Sequence, residues 1–122
     1  YATEQAKDLI LQLESLKLPI EVLKGKKTIE VRPRGINKGS VVKRITSLYP
    51  DAEFVLCIGD DKTDEDMFNA IDWMAHAYTV MVDNKPTAAK YYLEKQSDVL
   101  RVLGLLVNKR VDDSPRFQAL LK

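Results

Sequence analysis

The stretch FVLCIGDDKTDEDMF, residues 54–68, decides the fold class of this chain. Its five apolar residues at 54–58 predict a buried strand that ends at Gly59. The seven positions that follow, 60–66, hold five carboxylates, and Met67 and Phe68 then begin an apolar helical pattern. A strand that leads through a polar loop into a helix is typical of α/β proteins, which place ligands at the carboxyl ends of parallel strands.

Three interpretations compete for the acidic run. Thr63 and Asp66 are spaced like a capping box, and acids in a first helical turn favour the positive end of the helix dipole, so residues 64–66 could serve only to start a helix. A solvated acidic turn is the second possibility. Asp60 and Asp61 precede the predicted helix, however, and adjacent like charges raise the cost of ionising both. A hard divalent ion removes that repulsion, and we therefore predict a Mg²⁺ site.

Length and charge restrict the class of protein. A chain of 122 residues with 45% apolar and 30% charged residues is large enough for one globular unit. The formal net charge of +1 provides no basic field, so we expect no nucleic-acid partner. The single cysteine, Cys57, lies in an apolar strand and indicates a reducing compartment, so we expect a cytoplasmic protein. The chain has no long uncharged apolar run and no signal-like start, so we expect no membrane contact.

The rest of the chain alternates helical and strand patterns. An amphipathic helix up to Pro19 precedes a hairpin, and Pro33, Gly35 and Gly39 then mark the boundary between two structural units. The order beyond the boundary predicts an α/β fold with a parallel sheet. The predicted elements are hairpin strands at 20–23 and 28–32, a helix that Asn37 caps, strands at 54–58 and 78–82, helices at 88–93 and 99–107, and a tail over the last dozen residues.

Lys38 breaks a local rule. It lies where the second helix begins, and a cation there opposes the helix dipole. A lysine on a solvated turn is the plain alternative. Gly39 beside it lets the backbone approach a ligand, and an acidic metal site needs a cation that balances a bound phosphate. Lysine and metal together predict a phosphate ligand.

Alternation in the hairpin places Lys26, Thr28, Glu30 and Arg32 on one face of a strand. From spacing alone an ordinary solvated sheet face is the better interpretation. The functional alternative is a polar surface for hydroxyl groups, with Lys26 as donor and Glu30 as acceptor.

Two motifs resemble those of a known superfamily. Residues 59–64, GDDKTD, resemble the fourth signature motif of haloacid dehalogenase superfamily phosphatases, and residues 34–39, RGINKG, resemble the third, which carries a lysine. Further segments are similar to trehalose-6-phosphate phosphatases and to the phosphatase-like domains fused to trehalose-phosphate synthases. These segments are GK at 25–26 with EVRP at 30–33, NKG at 37–39, DEDMF at 64–68, and KPT at 85–87 before YYL at 91–93.

The resemblance covers residues 1 to about 107 and implies a haloacid dehalogenase-like α/β core with part of an α+β cap. Residues 1–33 would be the C-terminal part of the cap, residues 34–108 the C-terminal half of the core, and residues 109–122 a tail. The implied protein partners are the N-terminal half of the phosphatase domain and a trehalose-phosphate synthase.

The family hydrolyses trehalose 6-phosphate with Mg²⁺ through an aspartyl-phosphate, in trehalose biosynthesis. By resemblance, Asp60 would bind Mg²⁺, with Asp61 and Asp64 as direct or water-mediated support. Lys38 would hold the phosphate of this small sugar phosphate and balance the charge of the nucleophile. The sugar hydroxyls would face Lys26 and Glu30, with Asn37 helping from the core side.

The nucleophile motif of the family, Asp-x-Asp followed by glycine, does not occur in these residues, and neither does an identifiable second motif. Covalent phosphoryl transfer needs that aspartate, so we expect this chain alone not to hydrolyse the substrate at a family-like rate. Without the strand that carries it, an apolar sheet edge would stay open, and we expect the chain to associate.

Two alternatives to the phosphatase remain open at this point. The first is a non-catalytic, regulatory or structural module of a trehalose-phosphate synthase complex. The second is another sugar-phosphate phosphatase of the superfamily, which would differ at the cap. The adjacent carboxylates Asp60 and Asp61 favour an enzyme, since a purely structural copy has no need of charges that repel.

Overall fold

The computed structural model describes residues 2–25, 27–107 and 119–122. The chain divides into two compact units, Tyr1–Asn37 and Lys38–Lys122. The predicted boundary after Pro33 falls four residues before the observed division, at the end of a strand. No helix formed by the described residues is both long and apolar enough to cross a membrane.

The first unit is a helix followed by a β-hairpin. Helix α1 spans Ala2–Ser15, and the antiparallel strands are β1 (Ile20–Lys24) and β2 (Ile29–Pro33). Their register places Glu21 opposite Arg32, and the two side chains form an ion pair of 2.8 Å. The predicted hairpin is confirmed.

The described residues of the second unit form three helices and three strands around a short 3₁₀ turn, Lys62–Asp64. In chain order the elements are α2 (Lys38–Leu48), β3 (Val55–Gly59), α3 (Glu65–Ala70), β4 (Ala77–Val82), β5 (Tyr91–Leu93) and α4 (Ser97–Val107). The sheet has the order β3-β4-β5, and both pairs are parallel. This arrangement confirms the predicted α/β class with a parallel sheet, and it puts the carboxyl ends of all three strands at one edge.

Each face of the sheet has its own core, because successive strand residues point to opposite faces. On one face Cys57 and Met81 pack with Phe68 and Ile71 of the α3 region. On the other face Val80 and Leu93 pack with α4 and with Leu121. The parallel sheet is therefore the middle layer of three, and its strands read as nearly continuous apolar runs.

The predicted helix over residues 88–93 is wrong. Residues 91–93 form β5, whose register pairs Val80 with Tyr91 and Val82 with Leu93. The strand is favoured by two tyrosines and by a hydrogen-bonding partner that lies ten or more positions earlier in the chain. A local helical pattern could not show that partner.

The predicted tail is only partly described. Residues 109–118 of it lie outside the described residues. The last two residues contact β5 and the core: the Lys122 backbone exchanges two hydrogen bonds with Tyr92, at 2.8 and 3.1 Å, and Leu121 is buried. The end of the predicted tail is therefore attached to the sheet, and the rest of it stays a prediction.

Strand β3 lies at one end of the sheet, and among the described residues no strand pairs with its outer edge. Its side chains on the α4 face, Leu56 and Ile58, are half-buried. The expected association through this edge remains a prediction.

Candidate active site

The candidate site lies at the carboxyl edge of the parallel sheet. Asp60 directly follows β3, and Asp83 directly follows β4 at the same edge. Asp83 has φ of 94°, in the left-handed region that non-glycine residues rarely adopt. Backbone strain of this kind is found often where loops carry function.

Lys38 and Asp64 form the central ion pair. Lys38 is the first residue of α2, and its Nζ donates to Asp64 Oδ1 at 2.5 Å. The Asp64 side chain is only 7% exposed, whereas that of Lys38 is 55% exposed. The cation at the start of a helix is thus explained: it neutralises a buried carboxylate and still presents surface to solvent.

The other oxygen of Asp64 organises the turn after β3. Its Oδ2 accepts hydrogen bonds from the backbone N–H groups of Asp60 (2.9 Å) and Asp61 (3.1 Å). Asp61 in turn caps the 3₁₀ turn, and its Oδ1 accepts from Lys62 N at 2.7 Å. The capping box of this turn is therefore formed by Asp61 and Asp64, and Asp64 is also the residue at the N-cap of α3.

Gly59 is required by this turn. A Cβ atom at position 59 would overlap the side chain of Asp64. The glycine at the end of β3 therefore permits the close approach through which Asp64 reaches the backbone. This close approach explains why a glycine precedes the two aspartates in the Gly-Asp-Asp sequence at residues 59–61.

The pair keeps both of its members charged. Burial by itself would raise the pKa of Asp64, but the hydrogen bonds from Lys38 and from the Asp61 and Asp60 amides outweigh it and hold the pKa below its ordinary 3.8. The hydrogen bond to Asp64 raises the pKa of Lys38 above its ordinary 10.5. At neutral pH the site therefore contains a fixed ammonium–carboxylate pair.

The carboxylate of Asp60 has a different setting. Asp60 is exposed and lines a groove of about 550 Å³ together with Val82, Ser97 and Leu100. Among the described residues, none donates a hydrogen bond to its side chain. Carboxylate oxygen is the ligand type that Mg²⁺ prefers, so the chemistry of Asp60 fits the predicted metal.

The wider metal prediction needs ligands besides Asp60. In the part of the chain that the structure describes, no group of three or more His, Cys, Asp or Glu side chains is arranged to hold an ion. Both oxygens of Asp64 accept hydrogen bonds within the protein, and one oxygen of Asp61 accepts from Lys62. The direct or water-mediated support assigned to Asp61 and Asp64 therefore stays a prediction, whereas their contacts make them organisers of the turn.

Sequence reasoning missed a second set of contacts, between the start of α3 and the loop after β4. Glu65 Oε1 accepts from Thr87 Oγ1 at 2.5 Å, and Oε2 accepts from Ala88 N at 2.7 Å. In the same loop Lys85 Nζ donates to the backbone oxygen of Asp60. The one sequence signal for these contacts is the KPT segment at 85–87, which predicts no chemistry by itself.

The predicted sugar-facing residues belong to the first unit. Glu30 is an exposed residue of β2 on the same strand face as Arg32, as the alternation predicted. Asn37 is half-buried and directly precedes α2. Lys26 lies outside the described residues. The binding roles of Lys26, Glu30 and Asn37 remain predictions.

Residues 1–97 match the model of a protein family described as trehalose-phosphatase. The chain is 50% identical over 107 residues to alpha,alpha-trehalose-phosphate synthase [UDP-forming] B of Dictyostelium discoideum, and the match covers 84% of this chain and 13% of that protein. It is 36% identical over 110 residues to the trehalose-phosphatase of Schizosaccharomyces pombe, with 82% and 14% covered.

Among solved structures, the chain is similar to Aspergillus fumigatus trehalose-6-phosphate phosphatase, with a TM-score of 0.62 and 36% identity. That match covers 88% of this chain and 46% of the solved one. The chain thus spans less than half of this solved structure and about one seventh of the curated relatives named above.

Proposed function

Because this chain belongs to the trehalose-phosphatase family, we propose that it contributes part of the active site of a Mg²⁺-dependent phosphatase that hydrolyses trehalose 6-phosphate to trehalose and phosphate. The observation that carries the proposal is the Lys38–Asp64 pair beside Asp60 at the carboxyl edge of the sheet. A cation and a metal-binding carboxylate, held in place by a hydrogen-bonded turn, are groups that stabilise the charge of a transferring phosphoryl group.

In this proposal each residue has one task. Lys38 binds a phosphate oxygen with the part of its ammonium group that faces solvent, while Asp64 fixes its position. Asp60 is the residue that would hold Mg²⁺, with Asp61 and Asp64 in support. The metal, when bound, neutralises charge that develops on the transferring phosphoryl group.

The aspartate that would attack the phosphate, and form the aspartyl-phosphate, is not among these residues. The proposal therefore concerns the full-length protein, and the expected inactivity of this chain alone is part of it. Phosphate release from trehalose 6-phosphate by the two forms, measured side by side, tests that part.

The site assignment is tested by substitution in the full-length protein. We expect Asp60→Asn and Lys38→Ala each to lower kcat/KM for trehalose 6-phosphate by about 10²–10³, since single electrostatic contacts in active sites are worth that much. Asp51→Ala is the matched control, because Asp51 is an exposed acid with no hydrogen bond to another described residue. An unchanged Mg²⁺ dependence in Asp60→Asn would contradict the metal assignment.

The sugar specificity is tested at Glu30. If Glu30 accepts a hydrogen bond from a trehalose hydroxyl, Glu30→Ala raises KM for trehalose 6-phosphate by roughly tenfold with a smaller change in kcat. Glucose 6-phosphate, tested in parallel, separates this substrate from another sugar phosphate of the superfamily. Equal use of both substrates by the wild type would favour the broader phosphatase.

A second candidate function has its own observation. The relative at 50% identity is named a trehalose-phosphate synthase, and the chain covers only 13% of it. The alternative is therefore a non-catalytic module that regulates or supports a synthase, which is also the partner we propose for it. Absence of phosphate release by the full-length protein, with synthase activity that depends on this region, would favour the module.

A further inference from the structure

The geometry assigns Glu65 and Lys85 as positioning residues of the proposed site: Glu65 fastens the loop after β4 to α3, and the fastened loop places Lys85 against the backbone of Asp60. This inference rests on the proposed function, because it takes Asp60 as the metal-binding carboxylate. It concerns two residues to which no role in the proposed site has been assigned so far.

The first step is the pair of hydrogen bonds that Glu65 accepts from the loop after β4. Its two carboxylate oxygens each accept one hydrogen bond from consecutive residues, Thr87 Oγ1 at 2.5 Å and Ala88 N at 2.7 Å. Thr87 Oγ1 also accepts from Ala89 N at 3.1 Å, which closes the loop on itself. Hydrogen bonds to a charged acceptor are about twice as strong as neutral ones, so a bidentate grip of this kind restrains the loop.

The second step is the hydrogen bond from Lys85 to the backbone of Asp60. Lys85 lies two residues before Thr87, and its ammonium group donates to the Asp60 carbonyl. The N–H of Asp60 is meanwhile held by Asp64 Oδ2 at 2.9 Å. Both polar groups of the Asp60 backbone are thus held from outside β3, by one lysine and one carboxylate, which restricts the directions that the Asp60 side chain can take.

The loop after β4 contains one residue in an unfavourable backbone conformation. It begins at Asp83, whose φ is 94°, and Asn84 N donates to Asp83 Oδ1 at 2.8 Å. A non-glycine residue in this region persists only when the surroundings hold it there. The Glu65 contacts supply such a restraint at the other end of the same loop.

Lys90 provides a matched comparison within the loop. Its Nζ donates to the Asp72 backbone oxygen at 2.9 Å, and its N–H donates to Thr79 Oγ1 at 2.9 Å. Lys90 therefore makes the same kind of lysine–carbonyl bond as Lys85, but to a residue outside the proposed site. A function that depends on Lys85 alone separates positioning of Asp60 from general support of the loop.

The experiment uses the full-length protein and two readouts besides activity: Mg²⁺ binding by calorimetry and amide hydrogen exchange over residues 83–90 without metal. We expect Glu65→Ala to raise exchange in this loop, and both Glu65→Ala and Lys85→Met to weaken Mg²⁺ binding by about tenfold, the lower end of what residues behind a metal ligand contribute. KM for substrate should change less than twofold. Lys90→Met should leave Mg²⁺ binding unchanged.

Thr87→Val is a second variant that tests the same contact if Glu65→Ala does not fold. It removes one of the two bonds to Glu65 at nearly constant volume, and we expect a smaller effect in the same direction on exchange and on Mg²⁺ binding. Lys85→Arg, which retains a donor, should recover part of the Mg²⁺ affinity that Lys85→Met loses. Such recovery would not follow from a merely structural role.

The outcomes separate this inference from the proposed function. Faster loop exchange with unchanged Mg²⁺ binding, or equal behaviour of Lys85→Met and Lys90→Met, would overturn the inference while the phosphatase proposal stands. If the wild type binds Mg²⁺ but releases no phosphate, the proposed function fails and calorimetry still decides the inference. A wild type that binds no Mg²⁺ overturns both.

Discussion

The two units of this chain are stabilised in different ways. Every buried residue among those described belongs to the second unit, where two apolar cores cover the faces of the sheet. The first unit has two paired strands but no buried side chain in its described part, and Leu11 of α1 is 65% exposed. Regular secondary structure and a packed core are thus separate properties in this molecule.

The difference shows where each unit obtains its stability. A two-stranded hairpin is at best marginally stable in water, since local hydrogen bonds exchange for bonds to solvent. Burial of apolar area removes surface from water and has no such exchange. The turn after β3, from Gly59 to Glu65, belongs to the second unit, which has the buried apolar cores.

The largest expected effect is the loss of a core side chain in the second unit. Phe68 is 0% exposed, and Phe68→Ala should lower the free energy of unfolding by about 3–5 kcal/mol, measured by urea denaturation followed at Trp73. The matched change in the first unit, Leu11→Ala, should stay within about 0.5 kcal/mol. Similar decreases in the free energy of unfolding for both substitutions would contradict the difference in packing between the two units.

The next effect tests the polar core of the second unit. Asp64→Ala deprives the backbone amides of Asp60 and Asp61 of their acceptor and leaves Lys38 without its partner. We expect the free energy of unfolding to fall by about 2 kcal/mol. The exposed acid Asp51 is the control, and a loss as large in Asp51→Ala would contradict the role of Asp64.

A smaller effect is expected for the ion pair of the first unit. Glu21 and Arg32 face each other across the hairpin at 2.8 Å, with side chains 35% and 13% exposed. A double-mutant cycle with alanine at both positions should give a coupling of about 0.5–1 kcal/mol, from hydrogen exchange of the hairpin amides. A coupling larger than that of the Lys38–Asp64 pair would show that the ion pair of the first unit contributes more stability than that of the second unit.

The smallest effect concerns the one thiol. Burial raises the pKa of Cys57 above its ordinary 9.0, so the folded protein keeps the thiol proton at pH values where the unfolded chain releases it. Stability from this group is therefore present below pH 9.0 and declines as the pH rises above it. Alkylation by iodoacetamide at pH 8 should be slow in the folded protein and fast in urea; equal rates would show an exposed thiol.

Much of the fold could be predicted because its signals are local. The hairpin, α2, β3, β4 and α4 each follow from periodicity within a few residues. Strand β5 could not, because Ala88 and Ala89 favour a helix and the tyrosines beyond them find their partner in β4. Where pairing between distant segments decides the structure, a local pattern is insufficient.

The candidate site shows the same limit. The sequence predicts separate tasks for Lys38 and Asp64, but no local pattern predicts their direct pairing across 26 positions. The sequence predicts only a helix-start role for Glu65, since an acid in a first helical turn has a sufficient local explanation. Its partners lie 22 and 23 positions later, and only the folded sheet brings them to it.

The parallel pairing of β3 with β4 also has a kinetic consequence. Val55 pairs with Ala77, so this contact can form only after the intervening chain, with α3, has closed into a loop. Loop-closure entropy makes such non-local contacts slow to form during folding. We therefore expect the turn at residues 60–65, which takes partners from α2 on one side and from the loop after β4 on the other, to become ordered late, when the sheet has assembled.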